Sequence, residues 1–442
     1  MFISTIIFNR NSRYTLEKFK YAKIFLFAFF ARMIMFLLLN YIPSAIPCLE
    51  SFALENHIID GYDVIARNLV TGNGFSYNSK DPTCCRAPLY PMFLSFIIMI
   101  LPNAKNVVLY FVFRIIHIIF DSINALLIYW VSSKWFGSNR KKLIEYSAYI
   151  YAFNPVIIYY TIQMGSELIA NFCFLFFLRF FTEVFKSQKN NFWRSLLLGI
   201  SGGMLILNKS IFLALMLLIV PLIRLIYHNI SYVKRYALSL IISFILMAPW
   251  TFRNYLVSGH FVPVQTLTGF NFWYDFLIDA NRNKTIFSGN LLKTFSGQPV
   301  ILSNGVEYRP YALDSKTDAL YDRELILKAL DWIFENPLKF LGKIIDNIFS
   351  FWYFSESPLK MIISGLFSLI IILLSVRGSL KLLKIGLDRE TLFLICIVLL
   401  MNIIYSPVFA VFRYSLTTYP ILSLLAAGNF VQINNFKHTI DS

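Results

Sequence analysis

Charge is what this sequence has least of. Of its 442 residues only 14% are Asp, Glu, Lys or Arg, against roughly one quarter in an ordinary globular domain, while 57% are hydrophobic and 17% aromatic. The mean hydropathy is +0.62. A single soluble core does not grow large enough to hide this much apolar surface, which excludes a soluble enzyme with one anchor. Acids are the scarcer sign, 24 against 40 Lys and Arg, for a net charge of +16. In a soluble chain that excess would suggest nucleic acid, but no basic stripe sits on a soluble domain here. Bilayer proteins accumulate Lys and Arg in cytoplasmic loops, so no nucleic-acid partner is expected. The five cysteines show no CxxC or His/Cys zinc spacing. Cys48, Cys84 and Cys85 fall in one loop, where either a disulfide from Cys48 or free buried thiols would fit.

What is abundant is apolar runs of spanning length. The first, 24–39, follows a basic head with Arg10, Arg13, Lys18, Lys20 and Lys23. No small-residue cleavage site follows it, so it reads as an uncleaved span. Others run over 107–133, 143–161, 168–185, 193–208, 211–227, 235–250, 358–380, 391–408 and 414–432, which makes about ten. The stretch 89–101 is too short to cross and is expected as a juxtamembrane or re-entrant helix. The expected fold is therefore an all-α polytopic membrane bundle. Cation clusters at Lys134/Arg140–Lys142, Lys186/Lys189/Arg194, Lys234/Arg235 and Arg377–Arg389 fall on one side, which predicts both termini in the cytoplasm. Two segments are left outside, 43–106 and 251–357. The second carries turn signals at Ser258-Gly259, Ser288-Gly289-Asn290 and Asn304-Gly305, and a helical pattern near 318–335. No transporter-type internal repeat is visible.

The first outer segment holds the candidate chemistry. On a helix, Asp60, Asp63 and Arg67 would share a face. They could be solvated residues of an interfacial helix, Asp63 pairing with Arg67; Asp60 is left without a local cation and is a candidate general base. Thr71-Gly72-Asn73-Gly74-Phe75 is a turn and lacks the third glycine of a dinucleotide fingerprint. Arg86, held in Arg86-Ala87-Pro88-Leu89-Tyr90-Pro91, suits bidentate binding of a phosphate, or simply snorkels. Glu167 opens a span, where it either favours the helix N-terminus or faces the same cavity as Asp60. Arg86, Lys209, Arg253 and Arg413 are all predicted at one membrane level on one side, which suits an anionic lipid-linked ligand entering from the bilayer.

These residues, in this order, resemble the GT-C glycosyltransferases. The resemblance runs from Asp60/Tyr62/Ala66 and Gly72–Phe75 through Arg86–Pro91, Asn154-Pro155 to Glu167, and Gly199 to Lys209. It continues through Pro249-Trp250 to Tyr255, Gly259 to Pro263, Glu335-Asn336-Pro337, and Arg413-Tyr414 with Pro420. The most similar branch is the bacterial family 39-like group of protein mannosyltransferases and aminoarabinose transferases. The resemblance implies one GT-C-like domain over 1–442, with a catalytic first outer loop (43–106) and a donor- or acceptor-shaping loop (251–357). It also implies transfer of a sugar, with inversion, from a polyprenyl-phosphate donor to a glycan, lipid or protein acceptor on the outer face of a bacterial inner membrane. Asp60 would be the base, with Asp63 the alternative, and Glu167 the second acid. Arg86, Lys209, Arg253 and Arg413 would hold the donor phosphate, and Tyr62, Tyr90 and Tyr414 would shape the cavity. The chain departs from the pattern at Ile58, where many relatives carry the loop acid, and at Cys85, where some have an acid. No metal site is carried over; a divalent metal is left open as a cofactor, with no sequence motif that supports one. A polyprenyl-lipid flippase or transporter would want acids or broken helices near the bilayer midplane, whereas Asp121 and Arg179 are two scattered charges within spans. A lipid-linked oligosaccharide polymerase or ligase would not need the Asp60–Pro91 constellation.

Overall fold

The computed structural model describes residues 2–46, 52, 54, 59–186, 192–228, 230–273, 300–301, 307–308, 315–355 and 357–431. Helices dominate. In chain order they are α1 (Phe2–Ala45), α2 (Tyr62–Val70), α3 (Leu89–Ile100), α4 (Asn106–Trp135), α5 (Lys141–Ala152), α6 (Pro155–Ile162), α7 (Glu167–Lys186) and α8 (Phe192–Asn208). They continue with α9 (Ile211–Tyr227), α10 (Ile230–Ser258), α11 (Ser315–Glu335), α12 (Pro337–Tyr353), α13 (Pro358–Lys384), α14 (Asp388–Tyr405), α15 (Phe412–Ser415) and α16 (Tyr419–Ala426). The described β-structure is one antiparallel pairing of Val300–Ile301 with Glu307–Tyr308 and an isolated bridge between Ser76 and Pro82.

Among the described residues, five helical stretches are long and apolar enough to cross a membrane: Lys20–Ile42 within α1, then α4, α7, α10 and α13. Burial separates them. In the most apolar stretch of α7, 78% of residues are buried inside the protein, so it is central; in those of α1, α10 and α13 only 22% are. An apolar helix that keeps most of its surface outside the protein needs a hydrocarbon solvent, and the chain is a multi-pass membrane protein.

Three expectations change. The segment 143–161 is two helices, because Asn154 Oδ1 accepts from the backbone N–H of Val156 and Ile157 at 3.0 and 3.2 Å and Pro155 starts a new helix at its first position. The segment 414–432 is likewise broken: α15 is followed by a 3₁₀ turn at Leu416–Thr418, then α16 and a second 3₁₀ turn at Ala427–Phe430. Finally, α2 starts only at Tyr62. Asp60 and Gly61 precede it with φ of 65° and 66°, in the left-handed region, so Asp60 shares no helix face with Asp63 and Arg67. The helix expected near 318–335 is α11, α3 is the short apolar helix expected at 89–101, and Gly259 forms a turn with φ 71°. The turns expected at 288–290 and 304–305, and Cys48, lie outside the described residues. Cys84 and Cys85 are buried free thiols.

Close helix approach replaces hydrophobic drive where both helices already face lipid. A Cβ on Gly199 of α8 would stand 2.6 Å from the Ser239 carbonyl oxygen of α10, and the Ser243 hydroxyl donates to the Gly199 carbonyl at 2.8 Å. A buried ion pair ties α1 to α4: Arg32 donates through Nε to Asp121 Oδ2 at 2.8 Å. Thr161 of α6 donates to the same oxygen at 2.7 Å, and Tyr151 of α5 to Oδ1 at 2.6 Å.

Helix α12 is amphipathic in the reverse sense to a soluble helix. Leu338, Leu341, Ile345 and Phe349 are exposed along one face, and Lys343, Asn347 and Ser350 are buried on the other. The buried face holds the segment before α15. Asn347 donates to the Ser406 carbonyl at 2.9 Å and Lys343 to the Pro407 carbonyl at 3.3 Å, while Phe412 N–H donates to the Phe354 carbonyl at 2.7 Å.

Candidate active site

The first loop is closed on itself before it reaches the bundle. Asn68, near the end of α2, donates to the Ser76 carbonyl at 2.8 Å, and Thr83 N–H donates to the Phe75 carbonyl at 2.8 Å. This turn brings Tyr77 back against residue 60. The Tyr77 hydroxyl donates to the Asp60 carbonyl at 2.9 Å and accepts from Arg86 Nε at 3.1 Å. Three further elements converge on the same place: the start of α7 with Glu167, the α8–α9 connection with Lys209, and α15 with Arg413.

Arg413 stands between the two acids. Its Nη2 donates to Asp60 Oδ2 at 2.9 Å, and its Nε lies 3.3 Å from Glu167 Oε1. Lys209 Nζ donates to that same Glu167 oxygen at 2.7 Å, and Arg86 Nη2 lies 3.5 Å from Asp60 Oδ1. Three cations and two carboxylates therefore form one chain of ion pairs. The two ends differ in access: the Glu167 side chain is 8% exposed and that of Asp60 26%. Burial raises the proton affinity of the Asp60 carboxyl, but Arg413 and then Arg86 outweigh it and hold the group down at about 2.

Aromatic rings line this chain. The Arg86 guanidinium lies 5.3 Å from the Tyr62 ring centroid, and Lys209 Nζ lies 5.4 Å from that of Tyr414. Tyr414 in turn stacks on Tyr405, centroids 4.7 Å apart. Burial pushes the Tyr62 phenol up to about 12, so it stays neutral. Tyr90 meets Tyr62 edge-on at 5.1 Å; it is fully buried, donates to the Met164 carbonyl at 2.9 Å and lies 2.9 Å from His117 Nε2.

Two of the residues singled out in the sequence stand elsewhere. Asp63 is buried and accepts from the Tyr110 hydroxyl at 2.6 Å. Arg253 forms no ion pair among the described residues. Its guanidinium donates to the carbonyls of Thr83 at 2.6 Å and Phe75 at 3.3 Å and lies over the Trp250 ring at 4.9 Å, which fastens the first loop to the end of α10. The same seam is extended by Ala87 N–H donating to Gln265 Oε1 and Thr266 N–H donating to the Cys84 carbonyl, both at 2.9 Å. Tyr77, Tyr405 and Gln265 were not expected from the sequence. As for a metal, no group of three or more His, Cys, Asp or Glu among the described residues is placed to hold one. Asp60 and Glu167 are separated by a guanidinium, which opposes a shared cation.

No protein-family model matches the chain, and no curated protein matches it. Solved structures do. The chain is similar to the oligosaccharyltransferase AglB of Archaeoglobus fulgidus in complex with an inhibitory peptide and a dolichol-phosphate, with TM-score 0.54 and 12% identity over 93% of this chain and 50% of that one. The apo form of the A. fulgidus oligosaccharyltransferase gives TM-score 0.57 and 12% identity over 92% and 50%. ArnT from Cupriavidus metallidurans bound to undecaprenyl phosphate gives TM-score 0.51 and 11% identity over 90% and 58%. The chain thus spans between half and three fifths of the length of these structures. At such identities the likeness concerns the path of the backbone alone, which follows that of these oligosaccharyltransferase and ArnT structures.

Proposed function

We propose that this protein is an integral-membrane glycosyltransferase that moves a sugar from a polyprenyl-phosphate donor to an acceptor on the extracytoplasmic face, with inversion at the anomeric carbon. The observation that supports it is the chain of ion pairs in which Arg86, Lys209 and Arg413 meet Asp60 and Glu167. Three cations against two carboxylates leave one net positive charge, which a phosphodiester monoanion neutralises. In the transfer, the bond from the anomeric carbon to the phosphate oxygen breaks as the bond to the acceptor nucleophile forms. The acceptor proton passes to Asp60, and the phosphate leaves as a monoester with one more negative charge. Stabilising that charge in a water-poor site is the main electrostatic task, and Arg86, Lys209 and Arg413 are assigned to it. Asp60 is preferred over Asp63 as base because Asp60 is part-exposed beside the cations, whereas Asp63 is buried against Tyr110. Arg253, spent on backbone carbonyls, is assigned a fastening role. AglB in complex with a dolichol-phosphate and ArnT bound to undecaprenyl phosphate agree with a lipid-linked phosphate as ligand here. The bacterial inner membrane, with both termini cytoplasmic, and shaping of donor or acceptor by 251–357 belong to the same proposal.

A flippase reading is less well supported. Asp121 has its oxygens filled by Arg32, Tyr151, Thr161 and Asn124, and Arg179 pairs with Glu183 at 2.6 Å, so both charges of the spans are structurally employed. The test is gene deletion followed by mass analysis of polyprenyl-phosphate sugars and surface glycans. A lipid-linked sugar should accumulate and a glycan lose a residue. In membranes, Asp60→Asn should reduce transfer by about 10²–10⁴-fold, the usual scale of a general base. Unchanged lipids and glycans, or full transfer in both Asp60→Asn and Asp63→Asn, would sink this reading.

A further inference from the structure

We infer that the acids and cations of this site lock one another in the donor-free protein, and that the donor phosphate is the key that releases Asp60 to act as base. The inference rests on the transferase reading and adds an order of events to it. Both functions assigned to the site draw on the same hydrogen bonds. Arg413 spends Nη2 on Asp60 and Nε on Glu167, while Arg86 faces the second oxygen of Asp60. A phosphate drawn to these cations competes with the carboxylates for them, because Asp60 lies against both Arg413 and Arg86 and a second anion beside the same guanidinium groups repels it.

The two carboxylates will not yield equally. Glu167 lies deeper, keeps Lys209 at 2.7 Å, and is the fixed post of the chain. Asp60 is the more exposed of the two and sits in a left-handed turn outside any long helix, so it is the acid that gives way. Once phosphate holds Arg413 and Arg86, Asp60 has lost its cationic partners and gained an anionic neighbour. Both changes raise its affinity for a proton, which a base that has to accept one requires. Before that moment Asp60 is a poor base, and an acceptor that arrives first is not activated. Donor binding therefore comes first and acceptor second.

The lock makes a prediction opposite to that for an ordinary binding-site acid: removing it tightens lipid binding. Purified wild type, Asp60→Asn, Glu167→Gln and Asp63→Asn in nanodiscs are titrated with undecaprenyl phosphate, with no sugar and no acceptor present. Asp60→Asn should bind about fivefold or more tightly than wild type, the scale of freeing one part-exposed ion pair. Glu167→Gln should also tighten binding, which keeps the test alive should the loop variant fold poorly. Asp63→Asn, outside the chain of ion pairs, should match wild type. Equal or weaker binding by both Asp60→Asn and Glu167→Gln overturns the lock and leaves the transferase reading standing. A gain in Asp63→Asn as large as in Asp60→Asn also overturns it, since the effect would then be net charge. Absence of binding by wild type and all variants removes both.

Discussion

Arg413 and Asp60 are 353 positions apart in the chain and meet at 2.9 Å, with Glu167 on the other side of the same guanidinium. The fork matters as much as the charge, because one planar group reaches two acids through different nitrogens. Arg413→Lys keeps the charge but presents one ammonium, which can sit with either acid but not span both. We expect transfer to fall at least tenfold, carried mainly by kcat, with the fold retained. Steady-state kinetics on membranes checks it; near wild-type kcat would mean that the bridge is dispensable.

The Asp60 pairs also make the loop sensitive to acid. Asp60 is held at about 2 against an ordinary 3.8, a lowered value, so its stabilisation is complete above about pH 4 and is lost as pH falls toward 2. The group is part-exposed, so the contribution is at most about 1 kcal/mol after solvent screening. Wild type should melt above Asp60→Asn at pH 7, and the gap should narrow steadily as pH falls from 4 toward 2. A gap that is constant across that range contradicts the assignment.

Tyr77 is a positioning residue in this scheme, since its hydroxyl joins the Asp60 backbone to Arg86. Removing the oxygen in Tyr77→Phe leaves Arg86 Nε without that partner and the Asp60 carbonyl without its donor. We expect kcat to fall about five- to tenfold, the scale of one hydrogen bond, with melting temperature little changed. A drop in stability without a change in kcat would make Tyr77 only a fold residue.

The buried pair of Arg32 and Asp121 is predicted to be structural. Asp121→Asn leaves a buried guanidinium uncompensated and should cost about 3–5 kcal/mol, whereas replacing both partners with apolar residues of similar size should recover much of it. Thermal melts of single and double variants read this directly. A stable Asp121→Asn that loses transport of a lipid would instead revive the flippase reading.

How much of this could be read from the chain depends on distance along it. The five long spans were legible among the ten expected because apolar runs longer than about 18 residues have few alternatives. The break at Asn154 was written in Asn-Pro, a cap followed by a first-turn proline, but continuous apolarity from 143 to 161 hid it. Asp60, Glu167, Arg86, Lys209 and Arg413, which the structure brings together, stood out in the sequence because charges at the edge of an apolar bundle are rare. Arg253 looked the same as Arg413 in sequence. Only the folded loop, which presents the carbonyls of Phe75 and Thr83 to the one and the Asp60 carboxylate to the other, tells them apart. Tyr77 had no local signal at all, because its role exists only once the 71–83 turn has closed.

Under the proposed function, residue 60 has to meet two physical demands at once, one of charge and one of backbone conformation. A left-handed backbone is uncommon outside glycine, and Asp and Asn are among the few side chains that tolerate it well. A glutamate there would keep a carboxylate but strain the turn, and an alanine would confound lost chemistry with a distorted loop. The position thus narrows the acids available to the proposed chemistry to one. It also makes Asn the substitution that removes the charge while leaving the conformation at rest.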